Sequence, residues 1–216
     1  MANQPTTFAD TDAVRGVDVS HHNGIINWSK VHAAGIAFAF TKATEGIGLK
    51  DTHFTANYAA IKSNGMLRGA YHFFHSGSDA QAQADSFLHV VKHLEPGDLP
   101  PTLDVEADDG KSASVIINGV QKWLDTVEAA LGRTPIIYTS ASFWNAKLNG
   151  TAQFASHPLW VAHYTFKPKP NIPQGFAKHT IWQFSEKGMV NGINSNQVDL
   201  DRFNGTLDDL RKLAGF

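Results

Sequence analysis

Two carboxylic acids stand two residues apart at the end of an apolar stretch, in the segment Pro101–Glu106. Side chains at positions i and i+2 of a strand point to the same face, about 6–7 Å apart along the chain, so Asp104 and Glu106 are expected to face the same space. Paired carboxyl groups at such a distance suit hydrolysis of a glycosidic bond. Their repulsion raises one pKa and keeps a proton donor available near neutral pH. We therefore expect Glu106 to act as general acid and Asp104 to stay ionised beside it.

The elements that must position this pair alternate between strands and helices, which predicts a parallel sheet. Strands are predicted at Val14–Ser20, Ile36–Thr41, Leu67–Phe74, Pro101–Glu106, Pro135–Tyr138, Leu159–Ala162, Ile181–Phe184 and Gln197–Leu200. Helices are predicted at Asp51–Asn64, Ser78–Leu94, Ser112–Leu131 and Leu207–Leu213. After about residue 150 the connections are rich in Pro and Gly and too irregular for helices. The prediction is an α/β fold, an irregular TIM-like barrel without helices in its last third. It forms one domain over residues 14–216, behind a flexible tail over residues 1–13.

The carboxyl ends of the predicted strands carry acids, aromatic residues and amides, and active sites of such barrels form at those ends. Aromatic faces pack on sugar rings while polar groups fix hydroxyl and acetamido groups, so the mixture indicates a carbohydrate groove. The candidate groove residues are Tyr71, Tyr138, Tyr164, Trp182 and Lys42. Packing in the core is an equal alternative for the four aromatic residues, and a solvated ion pair with Glu45 is the alternative for Lys42.

Seven short runs stand in order along the chain: Gly16-Val17-Asp18-Val19-Ser20, Thr41-Lys42-Ala43-Thr44-Glu45-Gly46, Gly69-Ala70-Tyr71-His72-Phe73, Leu103-Asp104-Val105-Glu106, Ile137-Tyr138-Thr139, Ile181-Trp182-Gln183-Phe184 and Val198-Asp199-Leu200. With these runs, the sequence over about residues 14 to 205 resembles glycoside hydrolase family 25, the Chalaropsis-type lysozymes or N-acetylmuramidases. Each run alone is a weak signal, whereas all of them in order are a strong one. The resemblance implies a (β/α)5(β)3 barrel with eight strands and five helices. It also implies cleavage of the β-1,4 bond from N-acetylmuramic acid to N-acetylglucosamine in peptidoglycan.

The same resemblance implies roles for four acids. Glu106 is expected to protonate the leaving oxygen and then to activate water, while Asp104 orients the 2-acetamido group of the substrate, which acts as the nucleophile. Asp18 and Asp199 match two further acids of the family's site, and they lie on strands that become neighbours when a barrel closes. Asp201 is interpreted as a structural or rim residue. Direct attack by Asp104 and an inverting mechanism through water remain alternatives on the sequence alone.

Composition excludes other classes of function. The net charge of −2 offers no basic field for nucleic acid or an anionic membrane, and no cysteine is present. A metal-dependent sugar deacetylase is a rival suggested by His21, His22, His72 and His163. Their spacing does not match a zinc motif, and neighbours on a strand diverge. We expect no metal and no cofactor.

Two further rivals concern the substrate and the site of action. A chitinase-like glycosidase of family 18 also places Asp and Glu two residues apart, but the residues upstream of Asp104 do not match that family. A non-catalytic glycan-binding barrel predicts loss of one paired acid, and both are present. Residues 1–12 are polar and do not resemble a signal peptide. We expect a monomer that acts on peptidoglycan glycan strands outside the cell or at the cell wall, either secreted, or released or delivered by another route.

Overall fold

The computed structural model describes residues 4–9, 14–194 and 197–216. Its strands are β1 (Arg15–Val19), β2 (Ile36–Glu45), β3 (Leu49–Lys50), β4 (Leu67–Phe73), β5 (Thr102–Asp104), β6 (Ile136–Ser140), β7 (Leu159–Ala162), β8 (Ile181–Gly188) and β9 (Val198–Phe203). Its helices are α1 (Trp28–Ala33), α2 (Phe54–Ser63), α3 (Ala80–Val90), α4 (Ala113–Leu131), α5 (Ala141–Lys147) and α6 (Leu207–Leu213). Among the described residues, no helix combines the length and the apolar character that crossing a bilayer requires.

Eight strands close into a barrel in the order β1-β2-β4-β5-β6-β7-β8-β9, and β9 pairs with β1 to complete the ring. The short β3 pairs with β2 outside this ring. Neighbouring strands are parallel from β1 round to β8, whereas β9 is antiparallel to both β8 and β1. The expectation of an all-parallel sheet is therefore wrong for the last strand. The start of β9, not its end, lies beside the carboxyl ends of the other strands.

The predicted fold class is confirmed: the molecule is an irregular α/β barrel. One helix follows each of the first five barrel strands, and none separates β7, β8 and β9 in the described residues. Two of the helices, α1 and α5, were not predicted. They have six and seven residues, so each spans only about two turns and carries too little periodicity to be recognised.

Large aromatic side chains fill the bottom of the barrel. Phe38 and Phe40 of β2 are both 0 % exposed and point inward. Their rings occupy space that two glycines leave open: a Cβ on Gly16 would lie 2.2 Å from the Phe38 ring, and one on Gly69 would lie 2.1 Å from the Phe40 ring. Trp160 packs on Phe40 with its ring centroid 4.5 Å away. This aromatic layer is the floor on which the polar residues above it rest.

The segment 4–9 packs against the barrel. Gln4 is buried, and its side-chain oxygen accepts hydrogen bonds from the Ser185 hydroxyl (3.1 Å) and the Glu186 backbone N–H (2.8 Å). The Phe8 ring meets the Phe184 ring edge-on. These contacts differ from the loose tail expected for residues 4–9, because one buried amide and one aromatic ring attach the segment to β8. The rest of the expected tail, residues 1–3 and 10–13, lies outside the described residues.

Candidate active site

A polar groove of about 340 Å³ opens at the carboxyl ends of the parallel strands. Its walls carry carboxyl groups, phenols and an amide above the aromatic floor. The residues that line it are Asp18, Ser20, His22, Lys42, Tyr71, Phe73, Asp104, Glu106, Tyr138, Trp160, Tyr164, Gln183, Glu186 and Asp199. The structure thus brings together eight of the nine residues predicted for the site.

Strand alternation explains how residues far apart in sequence reach one groove. Successive side chains of a strand point to opposite faces, so alternate positions line the barrel interior. On β1 the interior positions are Gly16 and Asp18, while Val17 packs in the outer core. Tyr138 of β6 likewise faces the groove, and its neighbour Ile137 faces the helices. Each inward position near a strand end therefore contributes one side chain to the site.

The paired acids Asp104 and Glu106 both face the groove, as their spacing predicts. Asp104 ends β5 and is buried, whereas Glu106 follows the strand and is accessible from the open side of the groove. Burial raises the pKa of Asp104 well above its usual range, and the neighbouring Glu106 raises it further. Burial between the groove walls also raises the pKa of Glu106. This differs from the expectation that Asp104 stays ionised in the free protein, because the more buried carboxyl is the harder one to charge.

Three further acids meet where β1 lies against β9. Asp18 and Asp199 are paired in the antiparallel register, and Asp201 is two residues further along β9 on the same face. Burial, and next the charge of Asp201, raises the pKa of Asp18 well above its usual range. Burial and the charge of Asp18 do the same to the pKa of Asp199. Asp201 is completely buried and accepts a hydrogen bond from the Trp160 indole (2.9 Å), so it is not a rim residue.

One buried amide joins three of the predicted residues. The Gln183 side-chain N–H donates to Oδ2 of Asp18 at 2.7 Å. Its oxygen accepts from the hydroxyl groups of Tyr138 at 2.7 Å and Tyr164 at 2.9 Å. Tyr71 also lines the groove, and burial raises its pKa well above the usual range. The tyrosines predicted for the groove are therefore at its surface, and two of them are held by the same side chain.

Lys42 projects from β2 into the groove, and its ammonium group forms an ion pair with Glu45. Glu45 also accepts from Nε2 of His75 at 3.2 Å. The Lys42 side chain is 10 % exposed and stands 4.9 Å from the centroid of the Phe73 ring. Lys42 therefore has both of the roles considered from the sequence, because it pairs with Glu45 and also lines the groove. Its charge lowers the pKa of Asp104 and Glu106, against the effect of burial.

Trp182 does not lie with the other predicted residues. It is 3 % exposed and packs in the outer core, where its indole N–H donates to the backbone oxygen of His163 at 2.9 Å. Its ring stands beside Phe184 and the guanidinium group of Arg202. The expectation that Trp182 lines the groove is corrected, because Gln183 holds the inward position on β8 and its chain neighbours point outward.

The sequence analysis does not predict six of the groove residues, which are Ser20, His22, Phe73, Trp160, Gln183 and Glu186. A signal for Gln183 was present, since a lone amide between two aromatic residues of a strand has the pattern of an inward polar position. Nothing in the sequence marks Glu186, which stands beyond the predicted end of its strand. In the described part of the chain, no three His, Cys, Asp or Glu side chains are grouped so that they could hold a metal ion.

Comparison with known proteins identifies the family. Residues 17–193 match the description glycosyl hydrolases family 25. The chain belongs to this family. It is 40 % identical over 218 residues to lysozyme M1 of Streptomyces globisporus, covering 95 % of this chain and 73 % of that protein. It is 32 % identical to the N,O-diacetylmuramidase of Chalaropsis sp., covering 93 % of this chain and 99 % of that protein.

Solved structures agree with the family 25 assignment. The bacterial lysozyme from Streptomyces coelicolor superposes with a TM-score of 0.90 at 39 % identity, covering 95 % of this chain and 98 % of that one. A family 25 lysozyme from Aspergillus fumigatus gives 0.86 at 34 % identity, covering 94 % and 100 %. The resemblance read from the sequence motifs is confirmed, and this family 25 chain is a glycoside hydrolase.

Proposed function

We propose that this chain is a lysozyme that hydrolyses the β-1,4 bond between N-acetylmuramic acid and N-acetylglucosamine in peptidoglycan. Membership of family 25 and the similarity to a lysozyme and an N,O-diacetylmuramidase support the substrate class. The observation that carries the mechanism is the placement of Asp104 and Glu106 on one wall of an open groove, both with raised pKa values. A carboxyl group with a raised pKa can hold a proton near neutral pH and deliver it to a leaving group.

Glu106 is the general acid in this proposal because it is the accessible member of the pair. Its proton passes to the bridging oxygen as the bond from C1 of N-acetylmuramic acid to that oxygen breaks. The oxygen of the 2-acetamido group attacks C1 and forms an oxazolinium-like intermediate. Water then attacks C1 and the bond from C1 to the acetamido oxygen breaks, which restores the acetamido group. The Glu106 carboxylate takes a proton from that water, so the enzyme returns to its starting state.

Asp104 orients the acetamido group in this proposal, and the bound acetamido group in turn changes the pKa of Asp104. Its Oδ1 is buried and receives no hydrogen bond from the described residues, so the free protein does little to stabilise its charge. An acetamido N–H donated to the other oxygen favours the ionised form and lowers its pKa. The proton needed for catalysis then resides on Glu106. Substrate binding in this way sets the protonation state that the chemistry requires.

The remaining predicted residues have positioning roles in this proposal. Asp18 and Asp199 stabilise positive charge on the intermediate, while Tyr71, Tyr138 and Tyr164 contact the sugar rings or their substituents. Lys42 holds the pKa values of the central pair down. The enzyme acts as a monomer where peptidoglycan lies, outside the cell or at the wall.

The test is to incubate the protein with purified peptidoglycan and, separately, with chitin, and to identify the new reducing ends. Muramic acid at the new ends of peptidoglycan is the expected result. N-acetylglucosamine ends from chitin alone would favour a chitinase, and no release from either would favour a binding protein. Glu106→Gln should lose at least about a thousandfold in kcat, in line with loss of an acid–base group, while still binding peptidoglycan. The matched control is Glu128→Gln on α4, which lies outside the groove and should retain activity.

A further inference from the structure

Gln183 occupies a central position in the groove wall. It is 3 % exposed and lies between the acid of β1 and the phenols of the β6 and β7 ends. Its three hydrogen bonds reach Asp18 at 2.7 Å, Tyr138 at 2.7 Å and Tyr164 at 2.9 Å. Each partner is a residue predicted to touch substrate. One side chain therefore connects three parts of the site that the barrel otherwise brings together only through the backbone.

The chemistry of the three partners fixes which way the amide points. Oδ2 of Asp18 is the acceptor in this contact, so Asp18 requires the N–H side of the amide. The amide oxygen has two acceptor sites, and the two hydroxyl groups fill them. The reverse orientation would place the amide oxygen against Oδ2 of Asp18, acceptor against acceptor. The observed arrangement satisfies all three contacts at once.

This arrangement decides what the two phenols can offer to a ligand. A phenol has a single proton, and each of these protons is donated to Gln183. Tyr164 is only half-buried and lines the groove, so its oxygen is available there as an acceptor and not as a donor. Burial raises the pKa values of Tyr138 and Tyr164, so both phenols stay protonated and the arrangement is stable across the neutral range.

We infer that Gln183 is a positioning residue that turns the hydroxyl protons of Tyr138 and Tyr164 toward the protein, so that Tyr164 presents an acceptor to the substrate. The inference rests on the proposed function for the identity of the substrate. The group that fits beside Tyr164 is an N–H or O–H donor, and a sugar hydroxyl group has this chemistry, since the proposed mechanism directs the 2-acetamido N–H to Asp104. A substrate that presents a carbonyl oxygen at the same place is disfavoured, since two acceptors would meet.

A double-mutant cycle tests whether Gln183 acts through Tyr164. Gln183→Met removes every polar contact at nearly constant length, and Tyr164→Phe removes the hydroxyl group. On peptidoglycan each single variant should raise KM by about threefold to tenfold, the value of one hydrogen bond. The double variant should raise KM no further than Gln183→Met alone, because the residues act as a unit. Effects on KM that multiply would overturn the inference. Gln153→Met makes the same substitution at an exposed glutamine outside the groove. This control variant should leave KM unchanged.

The variant Gln183→Glu tests whether Gln183 orients the two phenols or only fills space in the groove wall. A carboxylate keeps two acceptors for the phenols, so KM should rise less than it does in Gln183→Met. It also replaces the amide N–H donor of Asp18 with a second acid, which raises the pKa of Asp18 and moves the acidic limb of the kcat/KM profile to higher pH. A KM raised as far as in Gln183→Met would overturn the inference. So would an unchanged pH profile.

A third measurement needs no substrate. In thermal unfolding, Tyr164→Phe should lower Tm less in the Gln183→Met background than in the unmodified protein, since the shared hydrogen bond is already lost. Equal losses of Tm in both backgrounds would overturn the inference. If the unmodified protein produces no new reducing ends from peptidoglycan, the proposed function is wrong. The Tm values of the single and double variants would still decide whether Gln183 holds the Tyr164 hydroxyl group.

Discussion

Asp201 and Asp18 lie on the same face of the paired strands β9 and β1, and the charge of Asp201 raises the pKa of Asp18. Asp201 is 0 % exposed, and its Oδ1 accepts from the Trp160 indole at 2.9 Å. Burial raises the pKa values of both carboxyl groups well above their usual range, because neither charge is solvated there. The folded protein therefore holds a proton here that the unfolded chain releases above about pH 4.

Asp201→Asn should flatten the dependence of stability on pH. The pKa values of Asp18 and Asp201 are raised in the folded state, so the free energy of unfolding is highest below their ordinary value of about 4. It falls as pH rises from there toward the folded pKa values, by about 1.4 kcal/mol per pH unit for each group in that window. An asparagine removes one such group. Urea unfolding at a series of pH values measures the slope. The exposed Asp125→Asn on α4 is the control, and equal slopes for the two variants would contradict the prediction.

Gly16→Ala should destabilise the barrel by about 1–3 kcal/mol, because the new methyl group would overlap the Phe38 ring at the bottom of the barrel. Denaturant unfolding measures the loss. A second change tests the cause: Phe38→Leu in the same chain makes room for the methyl group. The double variant should be more stable than Gly16→Ala alone. If the two losses simply add, the overlap is not what destabilises the single variant.

Trp182→Phe should lower stability without changing KM. The indole lies outside the groove, and its loss leaves the His163 backbone oxygen without a donor, at a cost of about 1–3 kcal/mol. Trp160→Phe is the matched comparison, because the Trp160 indole lines the groove and holds Asp201. That variant should change the pH profile of kcat/KM as well as stability. A raised KM in the single variant Trp182→Phe would contradict the prediction and show that Trp182 contacts the substrate.

Much of the site follows from the period of a strand. Asp104 and Glu106 share a face because they are two residues apart, and Asp18 meets Asp199 because the first and last strands of a closed barrel are neighbours. The same rule applied to β8 separates Gln183 from Trp182. The aromatic character of Trp182 favours a groove position for it, whereas alternation along β8 assigns that position to Gln183.

Other features depend on tertiary contacts that a local pattern does not contain. The antiparallel direction of β9 is decided by how the chain returns after β8, and both directions give the same alternation. The pKa order of Asp104 and Glu106 depends on which carboxyl lies deeper, whereas spacing gives only their repulsion. Gln4 attaches to β8 across 181 positions of sequence, and no periodicity reports such a contact.

Lys42→Met should move the alkaline limb of the kcat/KM profile to higher pH. The ammonium group lowers the pKa of Glu106, and that limb reports loss of the proton from the general acid. Without the cation the proton is held to higher pH. Rates on peptidoglycan across pH 4–9 give the profile. The exposed Lys122→Met on α4 removes the same charge far from the groove and should leave the limb in place. An unchanged alkaline limb in Lys42→Met would show that the Lys42 charge does not lower the pKa of Glu106.

Glu186→Gln should move the same limb in the opposite direction. The Glu186 carboxylate lines the groove and raises the pKa of Glu106, so its neutralisation lets the general acid lose its proton at lower pH. Glutamine keeps an acceptor for the Gln4 N–H that now reaches Oε1 of Glu186 at 3.3 Å, so stability should change by no more than about 0.5 kcal/mol. The two variants are informative together because Lys42→Met removes a positive charge from the groove and Glu186→Gln removes a negative one. If their limbs shift in the same direction, the rates are not governed by the charge on Glu106, and another residue must supply the proton.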